Sequence, residues 1–234
     1  MAGESKENLS SDEKLVRVAA GLAKAMVEIE ERDKQIKQLE AAREADEVEK
    51  AELREKAYTD SATEVANRRS LDEKGPELIR IAKANKEPLA AFLLDANYLK
   101  MLNEQEGFEA GTELLRAIAR GLDSTSFATD IVARLGGDEF MFLATGFRPK
   151  AGYTQDELLD EYSGIIEAEV SADIKRRKLP KYAGASIGST VLDLDDPNEN
   201  MSSLLGRVDR SSKEDKARRK EKDSIEYFDD RKIA

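Results

Sequence analysis

The stretch Ile131-Val132-Ala133-Arg134-Leu135-Gly136-Gly137-Asp138-Glu139-Phe140-Met141-Phe142-Leu143-Ala144 decides how the rest of the chain reads. Residues 131–135 and 140–144 are short apolar segments, and Gly136-Gly137-Asp138-Glu139 between them predicts a hairpin. Two glycines let the backbone come close to a bulky anion with no Cβ in the way. Two adjacent acids project to opposite sides, so one can bind a metal while the other orients it or meets a substrate. The plainer reading is a solvent-exposed hairpin tip, since Gly and Asp are ordinary turn residues.

Upstream, residues 88–95 (PLAAFLLD) form a continuous apolar run of strand length, which predicts a central strand buried on both faces. Asp95 ends this run, either as the N-cap of a following helix or as a carboxylate held rigidly at the sheet edge. Before it, a helix is expected over about 62–84, interrupted or ended near Gly75-Pro76. Helical patterns follow around 98–104 and 110–122. Beyond the hairpin come a helix over 156–176, a strand within 182–194, a helix over 201–216 and a last short strand at 224–228. Strands alternating with helices predict an α/β (α+β) fold, with helices packed on a sheet. The chain shows no internal repeat.

Composition changes near residue 58. Residues 1–57 hold no aromatic residue and no Pro, and Gly3 and Gly21 are their only glycines. Leu15, Leu22, Ile29 and Ile36 repeat every seven residues, with Val18, Ala25, Arg32 and Leu39 three positions after each. That a/d seam predicts a coiled coil, and its weakening at Arg43, Asp46 and Lys50 leaves a lone charged helix as the alternative. Ser10-Ser11-Asp12-Glu13 supplies cap oxygens and acids for the helix start. The division expected is a helical dimerisation stalk over 1–57, its first ten residues or so disordered, and a globular domain over 58–234.

The whole chain of 234 residues has 38 Lys+Arg against 49 Asp+Glu, and no Cys, His or Trp. Disulfides, thiolate or imidazole metal sites and Ser-His-Asp triads are therefore excluded. The net charge of −11 argues against a general binder of nucleic acid or anionic membranes. No apolar run approaches the ~20 residues that span a bilayer. The polar start Met1-Ala2-Gly3-Glu4-Ser5-Lys6 carries no signal-peptide pattern, so a cytoplasmic protein is expected. With no imidazole base, catalysis would fall to carboxylates, Lys, hydroxyls or a hard oxygen-bound metal. Asp95 and the acids of the glycine turn together suggest a site for Mg²⁺ holding phosphates, where a lowered hydroxyl pKa generates the nucleophile.

Residues 136–140 spell GGDEF, and the chain resembles the GGDEF domain of diguanylate cyclases. LLDANYLKMLNEQEGFEAGTELL (93–115) is similar to the family's D-x-D-x-F-K-x-x-N-D…G-H-x-x-G-D-x-x-L segment. Tyr58-Thr59-Asp60 with Asn67-Arg68-Arg69 resembles its D-x-L-T-G-L-P-N-R-R entrance. Ser186-Ile187-Gly188 matches its S-I-G strand, and Leu204–Asp209 with Lys216 resembles its A-D…A-K helix. The similarity spans about 58–229. It implies a palm-like domain with a central, mainly antiparallel sheet flanked by helices. Two facing subunits would each hold one GTP, and each 3′-hydroxyl would attack the other's α-phosphate, giving cyclic di-GMP and two pyrophosphates.

By the same resemblance, Asp95 and Asp138 would bind Mg²⁺ or Mn²⁺ with help from the Ala96 carbonyl, and Glu139 would sit beside the metal. Asn103 would read the guanine edge. Lys100, Lys216 and Lys220 would neutralise the triphosphate, Lys220 standing where the family has Arg. Tyr98, Leu99, Gly136 and Gly137 complete the expected substrate surface. The stalk would join two copies, with no nucleic acid and no membrane segment involved.

Departures from the family pattern carry information. Phe127-Ala128-Thr129-Asp130 lacks the Arg of the family's R-x-x-D product site, so no product inhibition there is expected. The entrance is degraded to Asp60-Ser61-Ala62-Thr63-Glu64-Val65-Ala66, and Phe108 and Leu99 replace the usual His and Phe. Thr112 stands in place of the Asp that accepts from guanine N1–H and N2–H. A hydroxyl there weakens guanine selection and lets ATP compete, as in a similar subgroup with Ser that makes cyclic AMP-GMP. Alternatively Thr112 merely caps its helix. Three functions follow for comparison: an active cyclase, a silent module binding nucleotide or partner, and a dimeric scaffold built on the coiled coil.

Overall fold

The computed structural model describes residues 10–147 and 150–230, with side chains as far as Lys216. The expected disordered start and the Lys220 side chain lie outside the described residues. The chain divides into two compact units, Met1–Arg54 and Glu55–Ala234. Helix α1 (Ser11–Tyr58) opens on a reciprocal cap, with Ser10 N donating to Glu13 Oε2 and Glu13 N to Ser10 Oγ. No residue of it is buried, and Leu15, Leu22, Ile29 and Ile36 stand 51–72% exposed.

The globular unit follows in the order β1 (Ala66–Asn67), α2 (Arg68–Asn85), β2 (Ala90–Asn97), α3 (Leu99–Glu106) and α4 (Phe108–Thr125). Then come β3 (Ile131–Gly136), β4 (Glu139–Ala144), α5 (Gln155–Arg176), β5 (Gly184–Val191) and α6 (Met201–Asp230). The sheet has the order β1-β3-β4-β2-β5, and only its β1–β3 pair is parallel. The expected mainly antiparallel sheet flanked by helices is therefore present.

Strand β2 is buried on both faces, as its unbroken apolar run requires. Ala90, Phe92 and Leu94 join Phe140 and Phe142 beneath α4 and α5. Ala91 and Leu93 join Met141 and Leu143 beneath α2 and α6. Strand β5 forms the sheet edge, and α6 covers it. Asp215 Oδ2 accepts from Ile187 N at 3.0 Å and Ser211 Oγ from Ser189 N at 3.1 Å, so α6 satisfies edge donors that would otherwise face solvent. The helix backbone lies directly on Gly188. A Cβ there would stand 2.1 Å from Ser212 N.

Four expectations are corrected. The helix expected from 62 starts at Arg68. Asp60 Oδ1 accepts from Ala62 N, Thr63 N and Thr63 Oγ1 and so stabilises a turn there, while Asn67 Oδ1 caps α2 by accepting from Ser70 N. That helix also runs unbroken through Pro76, whose missing donor falls on an exposed face where water can serve the Asp72 carbonyl. The strand expected at 224–228 is instead the end of α6, because residues 213–223 are good helix formers with no Gly or Pro to stop them. The β2 strand also continues two residues past Asp95, paired with β5 as far as Asn97–Gly184.

Arg134 ties the entrance to the hairpin. Its Nη1 donates to Asp60 Oδ1 at 3.0 Å, and its Nη2 donates to the Gly137 carbonyl at 2.7 Å. Burial alone would raise the Asp60 carboxyl, but hydrogen bonds from Thr63 and Arg134 outweigh it and hold the carboxyl below its ordinary value. The stability it contributes is present above the unfolded pKa and is lost as pH falls through the lower folded value. Asp60→Asn should therefore cost about 1–3 kcal/mol at pH 7. Urea titration should show the gap from the parent closing below about pH 4; a gap independent of pH would contradict the ionic role of Asp60. Gly188→Ala should destabilise by about 3 kcal/mol or prevent folding, read from the same titration, and an unchanged midpoint would refute the close approach of α6.

Candidate functional site

Four elements, β2, β3, β4 and α6, bring Asp95, the glycine turn with its acids, and Lys216 to one end of the sheet. The β2–β4 register runs from Ala90–Ala144 to Asp95–Glu139, so Asp95 lies directly across from Glu139. The pair Gly136–Glu139 closes the hairpin around Gly137 and Asp138, with a register shift between Arg134 and Gly136. Gly136 and Gly137 adopt φ values of +144° and +55°, which side chains with a Cβ rarely tolerate. The Ala96 amide donates to the Asp138 carbonyl at 2.9 Å, which fastens the turn to the end of β2. Asp138 is half-buried and Glu139 exposed.

Lys216 comes from α6 and meets Asp95, its Nζ donating to Oδ1 at 2.5 Å. Lys220 lies on the same helix. Lys100 is exposed on α3, 3.9 Å from Glu104 and with its side chain 91% accessible. Tyr98 precedes α3 with φ +56°, and its ring meets Tyr182 edge-on at 6.2 Å. Leu99 packs partly against the core.

Asn103 has its Oδ1 buried with no hydrogen-bond partner among the described residues. Gly111 makes room for it, since a Cβ there would lie 1.9 Å from that oxygen. An unpaired buried amide oxygen is costly, and this one faces Gly111 rather than solvent, so the side chain gains by turning towards a ligand donor. Thr112 lies one residue further along α4. Its hydroxyl donates to the Phe108 carbonyl one turn back at 3.0 Å, so it is not an N-cap. With its proton committed, it presents only lone pairs.

The residues fit a hard divalent cation. Among the described residues no cluster of three or more acidic side chains is assembled as a metal cage. A cation at this sheet end would take the Asp95 and Asp138 carboxylates and the Ala96 carbonyl, and complete its shell with water and ligand phosphate, the ordinary manner of Mg²⁺. Asp95 already accepts from one cation, the Lys216 ammonium.

Several supporting residues carry no signal that sequence reading would catch. Arg134 holds the turn through the Gly137 carbonyl, and Asp215 holds α6 on β5. Glu113, next to Thr112, belongs to an ionic network joining α4 to α5. It meets Arg116 at 2.6 Å and Arg177, which in turn donates to the buried Asp173 at 2.6 Å. Asp130 has its carboxylate engaged by its own loop and by the end of the hairpin, accepting from Phe127 N at 2.8 Å and, just after β4, from Thr145 N and Oγ1 at 2.7 Å.

No helix among the described residues is long and apolar enough to cross a membrane. Comparison with known proteins supplies the family. The chain matches the family described as diguanylate cyclase, GGDEF domain, over residues 57–222. An uncharacterized signaling protein of Caulobacter vibrioides is 30% identical over 157 residues, 67% of this chain and 18% of its own. The diguanylate cyclase TpbB of Pseudomonas aeruginosa is 36% identical over 95 residues, 41% of this chain and 22% of its own. The chain thus spans about a fifth of the length of these curated relatives. A solved sensory box/GGDEF family protein from Caulobacter crescentus CB15 is 28% identical with a TM-score of 0.55, over 68% of this chain and 98% of that one. With the match covering the hairpin, both flanking strands and α6 as far as residue 222, the chain belongs to the family described as diguanylate cyclase, GGDEF domain.

Proposed function

We propose that the chain is a diguanylate cyclase that condenses two GTP into cyclic di-GMP and two pyrophosphates across a pair of GGDEF domains. The observation that carries this reading is the convergence of Asp95, the Asp138 turn and Lys216 at one sheet end. Enzymes of this family generally use a divalent metal. Bound between Asp95 and Asp138, such an ion would neutralise the α-phosphate and acidify the attacking hydroxyl.

The protein's own groups do the rest. Asn103, its amide turned away from Gly111, would meet the guanine edge, and the bare Gly136-Gly137 backbone lets the phosphates approach. Lys100, Lys216 and Lys220 offset the triphosphate charge. The 3′-oxygen of one nucleotide bonds to the α-phosphorus of the other, the α–β bridging bond breaks, and pyrophosphate leaves. Glu139, exposed beside the turn, would accept the hydroxyl proton in a chain with no histidine. Each domain holds half of the reacting pair, so tethering matters. The exposed heptad stripe of α1 suits a second copy, and a coiled coil over 1–57 would raise the domains' effective concentration towards the millimolar range, about 1 mM for a short tether. The internal engagement of Asp130, with Phe127 in place of an Arg, supports a cyclase without product inhibition at that loop.

A second reading concerns the base. Because the Thr112 hydroxyl donates to Phe108, it offers a neutral acceptor where a carboxylate would bind guanine more strongly. Relaxed purine selection, with some mixed cyclic AMP-GMP, follows from that chemistry.

Purified chain incubated with Mg²⁺ and GTP should yield cyclic di-GMP, identified by mass. Asp138→Ala should reduce turnover by about 10²–10³-fold, the range for a lost charge-stabilising group. Turnover retained in that variant would mean the site is misplaced, and nucleotide binding without any cyclic product would favour the silent module. In GTP–ATP competition, Thr112→Asp should raise preference for GTP about tenfold, equivalent to ~1.4 kcal/mol of added guanine binding. An unchanged ratio would leave selection to Asn103 alone.

A further inference from the structure

The contact between Lys216 and Asp95 has a consequence for the order in which ligands can bind. Asp95 is fixed on β2, flanked by β4 and β5, and its side chain is 18% exposed. Lys216 is equally constrained at its root. Asp215 and Ser211 bond to the β5 edge, and Ser212 packs its backbone on Gly188. Only the four-carbon lysine stem, 35% exposed, is free to swing.

We propose that Lys216 is a resident counter-cation that makes divalent-metal binding at Asp95 and Asp138 conditional on the triphosphate. The proposal rests on the nucleotide-site reading above. The ammonium holds Asp95 Oδ1, so a dication arriving without a triphosphate meets a carboxylate already paired and a positive charge beside it. A triphosphate offers the ammonium several anionic oxygens and draws it off Asp95, which frees the carboxylate for the metal. Metal and nucleotide then favour each other, and by linkage the factor is the same in both directions. The device keeps the bare site from retaining a metal with no substrate to act on.

The test is isothermal titration of Mn²⁺ into the full chain, alone and saturated with 3′-deoxy-GTP, which binds but lacks the attacking hydroxyl. Triphosphate oxygens ligate the metal in every variant, so the diagnostic comparison is made without nucleotide. There, Lys216→Gln should bind Mn²⁺ on the order of tenfold more tightly than the parent, and its gain on adding nucleotide should shrink by a similar factor. Lys216→Arg keeps the charge and should remain as weak as the parent. Affinity of Lys216→Gln equal to or below the parent's, with Asp138→Ala impaired, overturns the counter-cation and leaves the metal site standing. If Asp138→Ala binds Mn²⁺ as the parent does under every condition, the metal-site reading fails and the proposal with it.

Discussion

The antiparallel pairing of β2 with β4 is the constraint on which the rest of the molecule depends. It runs in unbroken register from Ala90–Ala144 to Asp95–Glu139. A one-residue slip would exchange the two faces of β2 and carry the acids at its end to the wrong side of the sheet. Such a slip would not be opposed by apolar character, since both faces of β2 are buried. It is opposed by shape. Phe92 stacks on Phe142 at 5.7 Å on one face, while the smaller Ala91 and Leu93 accommodate α2 and α6 on the other. The core and the site are therefore two ends of one pairing.

The edge strand β5 adds the second requirement. An unpaired edge with free amides invites association with other chains, and here α6 covers it with Asp215 and Ser211. Covering the edge also sets the position of Lys216, the residue after Asp215. A device that protects the sheet thus delivers a cation to Asp95, 121 residues away in sequence. The close approach at Gly188 fixes the register of the helix against the strand, so S-I-G reads in structural terms as a seat for α6.

Much of this was legible before any coordinates. The apolar run of β2, the glycine turn and the long helical patterns of α4 and α5 state their elements through periodicity and length alone. The parts that were not legible depend on contacts between distant residues. The short β1 has only two residues and exists because Asp60 folds the preceding turn against Arg134. Pro76 inside α2 is tolerated because its missing bond faces water, which no local pattern reveals. The Lys216–Asp95 pair, the Gly111 hollow beneath Asn103 and the commitment of the Thr112 proton are tertiary facts. Lys216 and Lys220 by themselves look like part of a solvated helix face, and only family resemblance singled them out. The metal and substrate roles of these residues rest on that resemblance together with the placement found here.

The most direct test of the account is a crystal structure of the full chain grown with Mn²⁺ and 3′-deoxy-GTP, with the metal located by its anomalous signal. The account predicts a metal peak at roughly 2.0–2.3 Å from carboxylate oxygens of both Asp95 and Asp138, with Lys216 moved onto the phosphates. A metal held elsewhere, or nucleotide bound with the Lys216–Asp95 pair intact, would contradict it.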